Sequence, residues 1–309
     1  MEPQVSAWRR NLLDWWTLYL APWLPSWLPW RWAYPCYRWF ARSACLHRER
    51  AVAAAGIAPL YVPVADQRAF MHDLRTVWLL DAADLALSRR GPVDRLPAHV
   101  TVEGSWPARG GFIAVGFHHA AALWAFHDLR RHGHATTMVL ARLDEREFGA
   151  DRVRYRYARD RIAELERVGG EACIHRPHAR AKLLDALARG VAVISLIDVP
   201  PRLAPRGQQP VQLLGQPASL PVGALELACE SGVPVVPFWV ELDLHSGRRR
   251  LVIGAAHAPV AIDALRDALA ALLDRLVRTQ PAAWHMWQEW PAWLQAAAAL
   301  HGTAQPSEA

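Results

Sequence analysis

Polar side chains follow two apolar runs of the sequence, at the positions where buried strands would end. His118 and His119 come directly after the run 112–117, and Asp198 comes directly after the run 191–197. Ligands of open α/β sheets bind outside the carboxyl ends of the strands. If the two strands are neighbours, His118 and Asp198 face one crevice. There the histidine could act as a general base toward a hydroxyl that attacks an acyl thioester.

The helix expected after these histidines would add to that chemistry. We predict that it begins at about His119 and ends at about His132, so that its first backbone amides point at the same crevice. Amides at a helix N-terminus bind anions and could stabilise an oxyanion. Histidines that merely end a strand are the alternative interpretation, and the residues considered so far leave both open.

The surrounding pattern predicts the elements that would position these side chains. Apolar runs separated by helical segments are typical of buried, mostly parallel strands. We predict an α/β fold with a mostly parallel central sheet flanked by helices, and a proline-rich loop over 199–216. The expected strands cover 99–103, 112–117, 136–140, 172–174, 191–197, 233–240 and 250–253. The expected helices cover 66–88, 119–132, 151–167, 179–188, 221–232, 262–277 and 281–300.

The first forty residues hold eight of the sixteen tryptophans. Three prolines between Trp15 and Trp30 interrupt the apolar run there, so it cannot form one straight helix of the roughly 20 residues that span a bilayer. Tryptophan and arginine together favour the headgroup level of a membrane. We therefore interpret residues 1–46 as an amphipathic, Trp-rich helical anchor at the membrane interface. A Trp-rich core or dimer surface is the alternative.

Length and composition suit one large domain with a full core, because the chain has 309 residues and is 52% hydrophobic. We assign residues 47–303 to that domain and 304–309 to a disordered tail. The four cysteines show neither metal-ligand nor disulfide spacing, which favours a reducing cytoplasm. His175 and His178 lack a third ligand at a supporting spacing, so we predict no metal site.

The charge balance favours an anionic partner. The formal net charge is +6, and arginine carries nearly all of the positive charge because Lys182 is the only lysine. Arginine suits bidentate contacts to phosphate and carboxylate, as found on an acidic carrier protein or an anionic lipid surface. Nucleic acid is not expected as a partner, because the tryptophans cluster away from the arginines instead of alternating with them.

From about Trp15 to Trp293 the chain resembles the lysophospholipid acyltransferase superfamily, and most of all its lipid A lauroyl/myristoyl and mannoside acyltransferase branch. The resemblance begins with the Trp-rich amphipathic start. It continues through HVTVEG at 99–104, GGFIAVGFHHAAALW at 110–124, ALARGVAVISLID at 186–198, VQLLGQPASLPVGALELACESGVPVVPFWV at 211–240 and PAAWHMWQEW at 281–290.

The resemblance implies an enzyme that moves a fatty acyl group to a hydroxyl of a membrane lipid or glycolipid. The donor would be a thioester of acyl carrier protein or of coenzyme A, with no other cofactor. The protein would be peripheral, on the cytoplasmic face of the inner membrane. Carrying the family's base over to this chain gives His118. Acyl chain length, acceptor, donor and oligomeric state stay open.

The chain departs from the family's HxxxxD/E pattern, since counting from His118 puts Leu123 at the acidic position. Asp198 could supply the carboxylate from the next strand end, His119 or Asp128 could take over, or catalysis could be lost. Asp128 lies ten residues past His118, about 280° around a helix, and so on another face. We favour Asp198. A degenerate relative that binds a lipid or an acyl carrier within a lipid or pigment biosynthesis assembly is the alternative function.

Four arginines are candidates for binding the substrates. Arg156 and Arg159 belong to the Arg-rich stretch 142–161 and could meet the anionic donor. Arg202 and Arg206 stand in the loop past Asp198 and could meet a lipid headgroup. A solvated helix face with internal ion pairs is the alternative interpretation of the Arg-rich stretch.

Overall fold

The computed structural model describes residues 7–302, with side chains as far as Ala299. The predicted tail over 304–309 and the first six residues of the predicted anchor lie outside the described residues. Described strands are β1 (Val100–Glu103), β2 (Phe112–Gly116), β3 (Thr136–Leu140), β4 (Ile174–His175), β5 (Ala192–Leu196), β6 (Gln208–Leu213), β7 (Gln216–Pro221), β8 (Val235–Leu242) and β9 (Arg249–Ile253).

Helices precede, separate and follow these strands. The described helices are α1 (Ala7–Trp15), α2 (Ala21–Trp23), α3 (Trp30–Phe40), α4 (Arg48–Ile57), α5 (Gln67–Arg90), α6 (Leu123–Arg131), α7 (Glu145–Phe148), α8 (Arg152–Gly169), α9 (Arg180–Ala188), α10 (Gly223–Ser231), α11 (Ile262–Thr279) and α12 (Trp290–Gly302). A π-helical turn covers Trp16–Leu20, and 3-10 turns cover Pro25–Trp27, Ala58–Leu60, Pro281–Ala283 and Trp287–Glu289.

Seven of the strands form one central sheet in the order β1-β9-β8-β2-β5-β3-β4. Neighbouring strands are parallel except for the β8–β9 pair, which is antiparallel. Helices flank the sheet, so the predicted α/β fold with a mostly parallel central sheet is confirmed. The parallel strands β2 and β5 are apolar along nearly their whole length because both of their faces are covered.

Alternating side chains of the central strands enter two apolar clusters, one on each face of the sheet. On β2, Ile113 and Val115 join the cluster built with α9, α10 and α11. Phe112 and Ala114 join the cluster built with α6 and the N-terminal helices. Helix α5 contributes to both clusters, and its N-cap is Asp66, whose carboxylate accepts from the Arg68 and Ala69 amides.

Two predicted elements differ in the structure. The expected loop 199–216 contains strand β6, which forms an antiparallel hairpin with β7. Leu214 and Gly215 both have positive φ, the backbone that a two-residue hairpin turn requires. The expected helix 281–300 is interrupted after Ala283, because Trp284 is extended, and it resumes as α12 from Trp290.

The N-terminal helices present two different faces. Toward the domain, Trp30 stacks on His99 with the ring centroids 3.7 Å apart, and Tyr37 is fully buried. Away from it, Trp8 is 65% exposed and Trp39 is 64% exposed. The segment thus combines a packed side with an exposed aromatic side. Within residues 7–302, no helix has the length and apolar character needed to cross a bilayer.

Candidate active site

Neighbouring strands bring the two predicted polar side chains together. Gly116 at the end of β2 pairs with Leu196 at the end of β5, and His118 and Asp198 each follow two residues later. His118 Nδ1 lies 2.9 Å from Oδ1 of Asp198. The histidine and the carboxylate therefore form a hydrogen-bonded pair at the carboxyl edge of the sheet.

Gly116 allows β2 to pass close to its other neighbour, β8. A Cβ at this position would lie 2.6 Å from Cζ of the buried Phe238 ring. Since real Cβ atoms do not approach so closely, any larger residue would displace either the Phe238 ring or the strand end that carries His118.

The Asp198 carboxylate is fully buried and accepts hydrogen bonds on both oxygens. The backbone N–H of His118 donates to Oδ1 and Oδ2 at 2.8 Å, and Trp284 Nε1–H donates to Oδ2 at 3.0 Å. An ionised carboxylate only accepts hydrogen bonds, so Nδ1 of His118 must carry the hydrogen of their shared bond. In the neutral ring, Nε2 then holds the free lone pair.

A short antiparallel bridge from residues 281–293, here called the closing segment, fixes the backbone after β2. Ala120 N–H donates to the Ala283 carbonyl at 2.8 Å, and His285 N–H donates to the His118 carbonyl at 2.9 Å. His285 also donates from Nε2 to the Ala120 carbonyl at 2.7 Å. Burial lowers the pKa of His285 to about 4, so this ring is neutral at pH 7.

Tryptophans of the closing segment support the carboxylate from behind. Trp284 stacks on Trp293 with ring centroids 5.4 Å apart and meets Trp287 edge to face at 4.9 Å. Trp293 Nε1–H donates to the carbonyl of Val199, the residue after Asp198, at 2.9 Å. Because these rings are fully buried, they hold both the carboxylate and its backbone in one position.

His119 was predicted to share the crevice, but the structure places it elsewhere. Its side chain is buried on the β8 side of the sheet edge, where Nδ1 donates to the Val240 carbonyl at 2.9 Å. Burial lowers the pKa of His119. Adjacent residues at a strand end point in opposite directions, so only one of the two histidines can face Asp198.

The prediction that a helix begins at His119 is wrong, because α6 begins at Leu123. His119 takes part in the bridge to Trp284, and Ala120 has φ of 52°, a left-handed backbone that cannot start a helix. The first amides of α6 still lack acceptors within the helix. Leu123 is buried, and its apolar side chain has no carboxylate to offer His118.

The free face of His118 opens toward solvent. Its side chain is 30% exposed, and within residues 7–302 no hydroxyl or thiol is hydrogen-bonded to Nε2. In a nucleophilic triad, an enzyme hydroxyl or thiol would occupy that position. The arrangement instead suits proton removal from an external hydroxyl.

Of the predicted substrate-binding arginines, Arg156 and Arg159 are exposed on α8, and the Arg159 guanidinium lies over the Tyr155 ring, 5.9 Å from its centroid. Arg202 donates to Glu289 at 2.8 Å, which ties the loop after Asp198 to the closing segment. Arg206 is exposed in the same loop. None of the four is hydrogen-bonded to His118 or Asp198 within the described part of the chain.

A cavity with a volume of about 750 Å³ lies beside the first residues of the closing segment. Its lining includes Glu241, Asp243, Arg248 and Arg250 but neither His118 nor Asp198. Its walls are therefore charged with both signs, unlike a pocket for an acyl chain. In the described ranges, no cluster of three His, Cys, Asp or Glu side chains could hold a metal ion.

Sequence reasoning gave no role to three residues that shape the site. Trp284 and His285 lie in the closing segment, where the resemblance implied a role for neither of them. Asp81 of α5 forms an ion pair with Arg161 of α8, with Nη1 to Oδ2 at 2.5 Å. Burial alone would raise the pKa of Asp81, but Arg161 reverses this effect and lowers it. A separation of eighty residues leaves no local signal for such a pair.

No protein-family model matches this chain, and no curated protein matches it either.

Proposed function

We propose that the protein is an acyltransferase of the lysophospholipid acyltransferase type. It would move a fatty acyl group from a thioester of acyl carrier protein or coenzyme A to a hydroxyl of a membrane lipid or glycolipid. The hydrogen bond of 2.9 Å between His118 and Asp198, with Nε2 left open to solvent, is the observation that carries the proposal.

The proposed reaction begins with proton transfer from the acceptor hydroxyl to Nε2 of His118. The hydroxyl oxygen attacks the thioester carbonyl and forms a tetrahedral oxyanion, while Asp198 stabilises the imidazolium. The intermediate collapses, the ester bond forms and the carbon–sulfur bond breaks. Nε2–H then returns its proton to the departing thiolate, so charge and protons balance. No acyl-enzyme intermediate forms, since Nε2 faces no enzyme nucleophile among the described residues.

Asp198 replaces the acidic residue that the family has five positions after the histidine, and it orients His118 in the same way. Leu123 stands at that position, and its burial fits a packing role. The two carboxylate positions are chemically equivalent for the histidine, because each would hold Nδ1–H and leave Nε2 free.

The exposed aromatic side of the N-terminal helices supports attachment to a membrane surface. Trp8 and Trp39 are exposed there, and Arg9 and Arg90 lie over the rings of Trp8 and Trp27. Indole rings beside arginines suit the headgroup region of an anionic bilayer. We place the protein peripherally on the cytoplasmic face of the inner membrane. An acidic acyl carrier protein could dock on the arginines of α8.

The experiment is transfer of labelled acyl groups from acyl carrier protein and coenzyme A thioesters into a bacterial membrane lipid extract. Wild type, His118→Ala and the matched control His245→Ala are compared, because His245 is exposed in the β8–β9 hairpin. We expect a labelled lipid from wild type and from the control, and none from His118→Ala. Equal product from folded His118→Ala would refute the role of His118.

The second candidate function, binding without turnover, is favoured by Leu123 at the acidic position. It predicts that wild type retains a labelled acyl thioester through gel filtration but forms no lipid product from either donor. The same samples test both candidates, since binding and product are measured separately.

A further inference from the structure

Arg50 of α4 is a cation without a counter-charge. Its guanidinium lies over the Trp78 ring, 4.7 Å from the centroid. Its Nε is buried with no hydrogen-bond partner, and no carboxylate within residues 7–302 forms an ion pair with it. Burial lowers the pKa of this arginine. A partly buried arginine is costly unless an anion or several acceptors meet it.

The carboxylates near Arg50 are already paired with other arginines. Asp81 accepts from Arg161, and Glu289 accepts from Arg202 at 2.8 Å. Arg154, also within electrostatic reach of Arg50, is paired with Asp14 at 2.8 Å. Four arginines (Arg50, Arg154, Arg161 and Arg202) thus lie near three carboxylates (Asp14, Asp81 and Glu289), which leaves Arg50 without a carboxylate partner.

Neighbouring side chains add hydrogen-bond donors that have no acceptor among the described residues. Tyr157 accepts a hydrogen bond from Arg161, which leaves its own O–H to donate. His47 has a buried Nε2 without a partner. Burial holds the pKa of His47 down to about 3, so the ring is neutral and can carry a hydrogen on that nitrogen.

This group of side chains, which we call the Arg50 cluster (His47, Arg50, Asp81, Tyr157 and Arg161), adjoins the His118 pair. His285 links the two, because it lies within electrostatic reach of Arg50, Asp81 and His118. The Asp81 and Arg161 side chains remain 20% and 33% exposed, so water reaches the cluster.

We propose that the Arg50 cluster binds a phosphate group of a substrate beside His118. Arginine matches phosphate oxygens in a bidentate manner, and the Tyr157 hydroxyl and His47 Nε2–H supply further donors. The proposal rests on the proposed function for its substrates. The phosphate belongs either to the pantetheine arm of the thioester donor or to the headgroup of the acceptor.

The experiment measures binding directly, so it does not depend on turnover. The probes are 4′-phosphopantetheine and glycerol 3-phosphate, with pantetheine and glycerol as phosphate-free controls, titrated calorimetrically into the full chain. Wild type, Arg50→Gln, Arg50→Lys and the control Arg48→Gln are compared, since Arg48 is exposed on the same helix. His118→Ala is included as a variant that lacks the proposed base.

We expect at least one phosphate probe to bind wild type, Arg48→Gln and His118→Ala, while its phosphate-free control does not. Losing charged hydrogen bonds should weaken binding about 10- to 100-fold in Arg50→Gln. The affinity of Arg50→Lys should lie between those of wild type and Arg50→Gln, because lysine keeps the positive charge but loses the planar guanidinium and its bidentate hydrogen bonds. This variant also keeps the test valid if Arg50→Gln does not fold. The probe that binds identifies the donor or the headgroup as the source.

Equal affinity of the phosphate probe for wild type and Arg50→Lys, or no binding of either phosphate probe to wild type, would overturn the subsite. If wild type binds phosphate through Arg50 but transfers no acyl group, the result would support the proposed phosphate subsite and contradict the proposed acyltransferase function.

Discussion

The Asp198→Asn variant tests how the carboxylate orients His118. The amide keeps the shape of the side chain but offers one acceptor oxygen and one NH₂ donor group. Three N–H groups point at the carboxylate: Nδ1–H and the backbone N–H of His118, and Nε1–H of Trp284. The NH₂ must therefore face at least one donor in the buried site, which costs about 1–3 kcal/mol of stability.

The NH₂ group can avoid the fixed backbone and indole donors by facing the ring. That orientation forces the hydrogen of His118 onto Nε2 and removes the general base. The same exchange in a serine protease triad lowers kcat by about 10⁴, so we expect a loss of about 10³ to 10⁴ in acyl transfer. Asp263→Asn is the matched control, because Asp263 is exposed on α11.

Single-turnover transfer rates, measured with urea unfolding curves of the same proteins, check this expectation. A folded Asp198→Asn protein that keeps more than about a tenth of the wild-type rate would refute the reasoning, because the loss would then be smaller than a typical general-base contribution.

Variants of Trp284, of the exposed tryptophans Trp8 and Trp39, and of His127 test other parts of the structure. Trp284→Phe removes the indole donor to Asp198 while keeping an apolar ring, and kcat should fall about tenfold with KM little changed, by steady-state kinetics. The double change of Trp8 and Trp39 to serine should weaken flotation with anionic vesicles at least tenfold, whereas serine at exposed Val260 should not. Burial holds the pKa of the His127 ring down to about 4, so the unfolded chain binds more protons between pH 6.5 and 4. The free energy of unfolding should therefore fall as pH falls through that window, and His127→Gln, which keeps a polar side chain, should reduce the slope in chemical denaturation. An unchanged slope would contradict the assignment.

The sequence predicted the His118–Asp198 pair because each residue follows a continuous apolar run, and parallel strands end at one edge of the sheet. The order of the strands was not encoded locally. Only the structure shows that β2 and β5 are neighbours and that the carboxylate reaches Nδ1. Periodicity also could not tell which of His118 and His119 faces the crevice, since that depends on the bridge to Trp284.

The remaining contributors to the site depend on contacts between distant parts of the chain. Trp284 reaches Asp198 across eighty-six residues, and Arg161 reaches Asp81 across eighty. The unpaired state of Arg50 is likewise invisible in the sequence, because it follows from which arginines occupy the nearby carboxylates. The Arg-rich stretch offered Arg156 and Arg159 as candidates, whereas the structure pairs Arg154 with Asp14 and Arg161 with Asp81.

The N-terminal segment has features of both interpretations that the sequence left as alternatives. Trp30 and Tyr37 pack into the domain, as a Trp-rich core would, while Trp8 and Trp39 remain exposed, as an interfacial surface would. Helical periodicity separates these faces only once the positions of the helix breaks at Trp16–Leu20 and Pro25–Trp27 are known.

Single-turnover acyl transfer shows directly whether His118 acts as the general base of an acyltransferase. An acyl carrier protein thioester is mixed with excess enzyme and membrane lipid extract, and the label is followed into lipid, thiol and free fatty acid. We expect that wild type transfers the acyl group to lipid and that folded His118→Ala does not. Transfer at the same rate in both proteins, or release of free fatty acid alone by wild type, would contradict it.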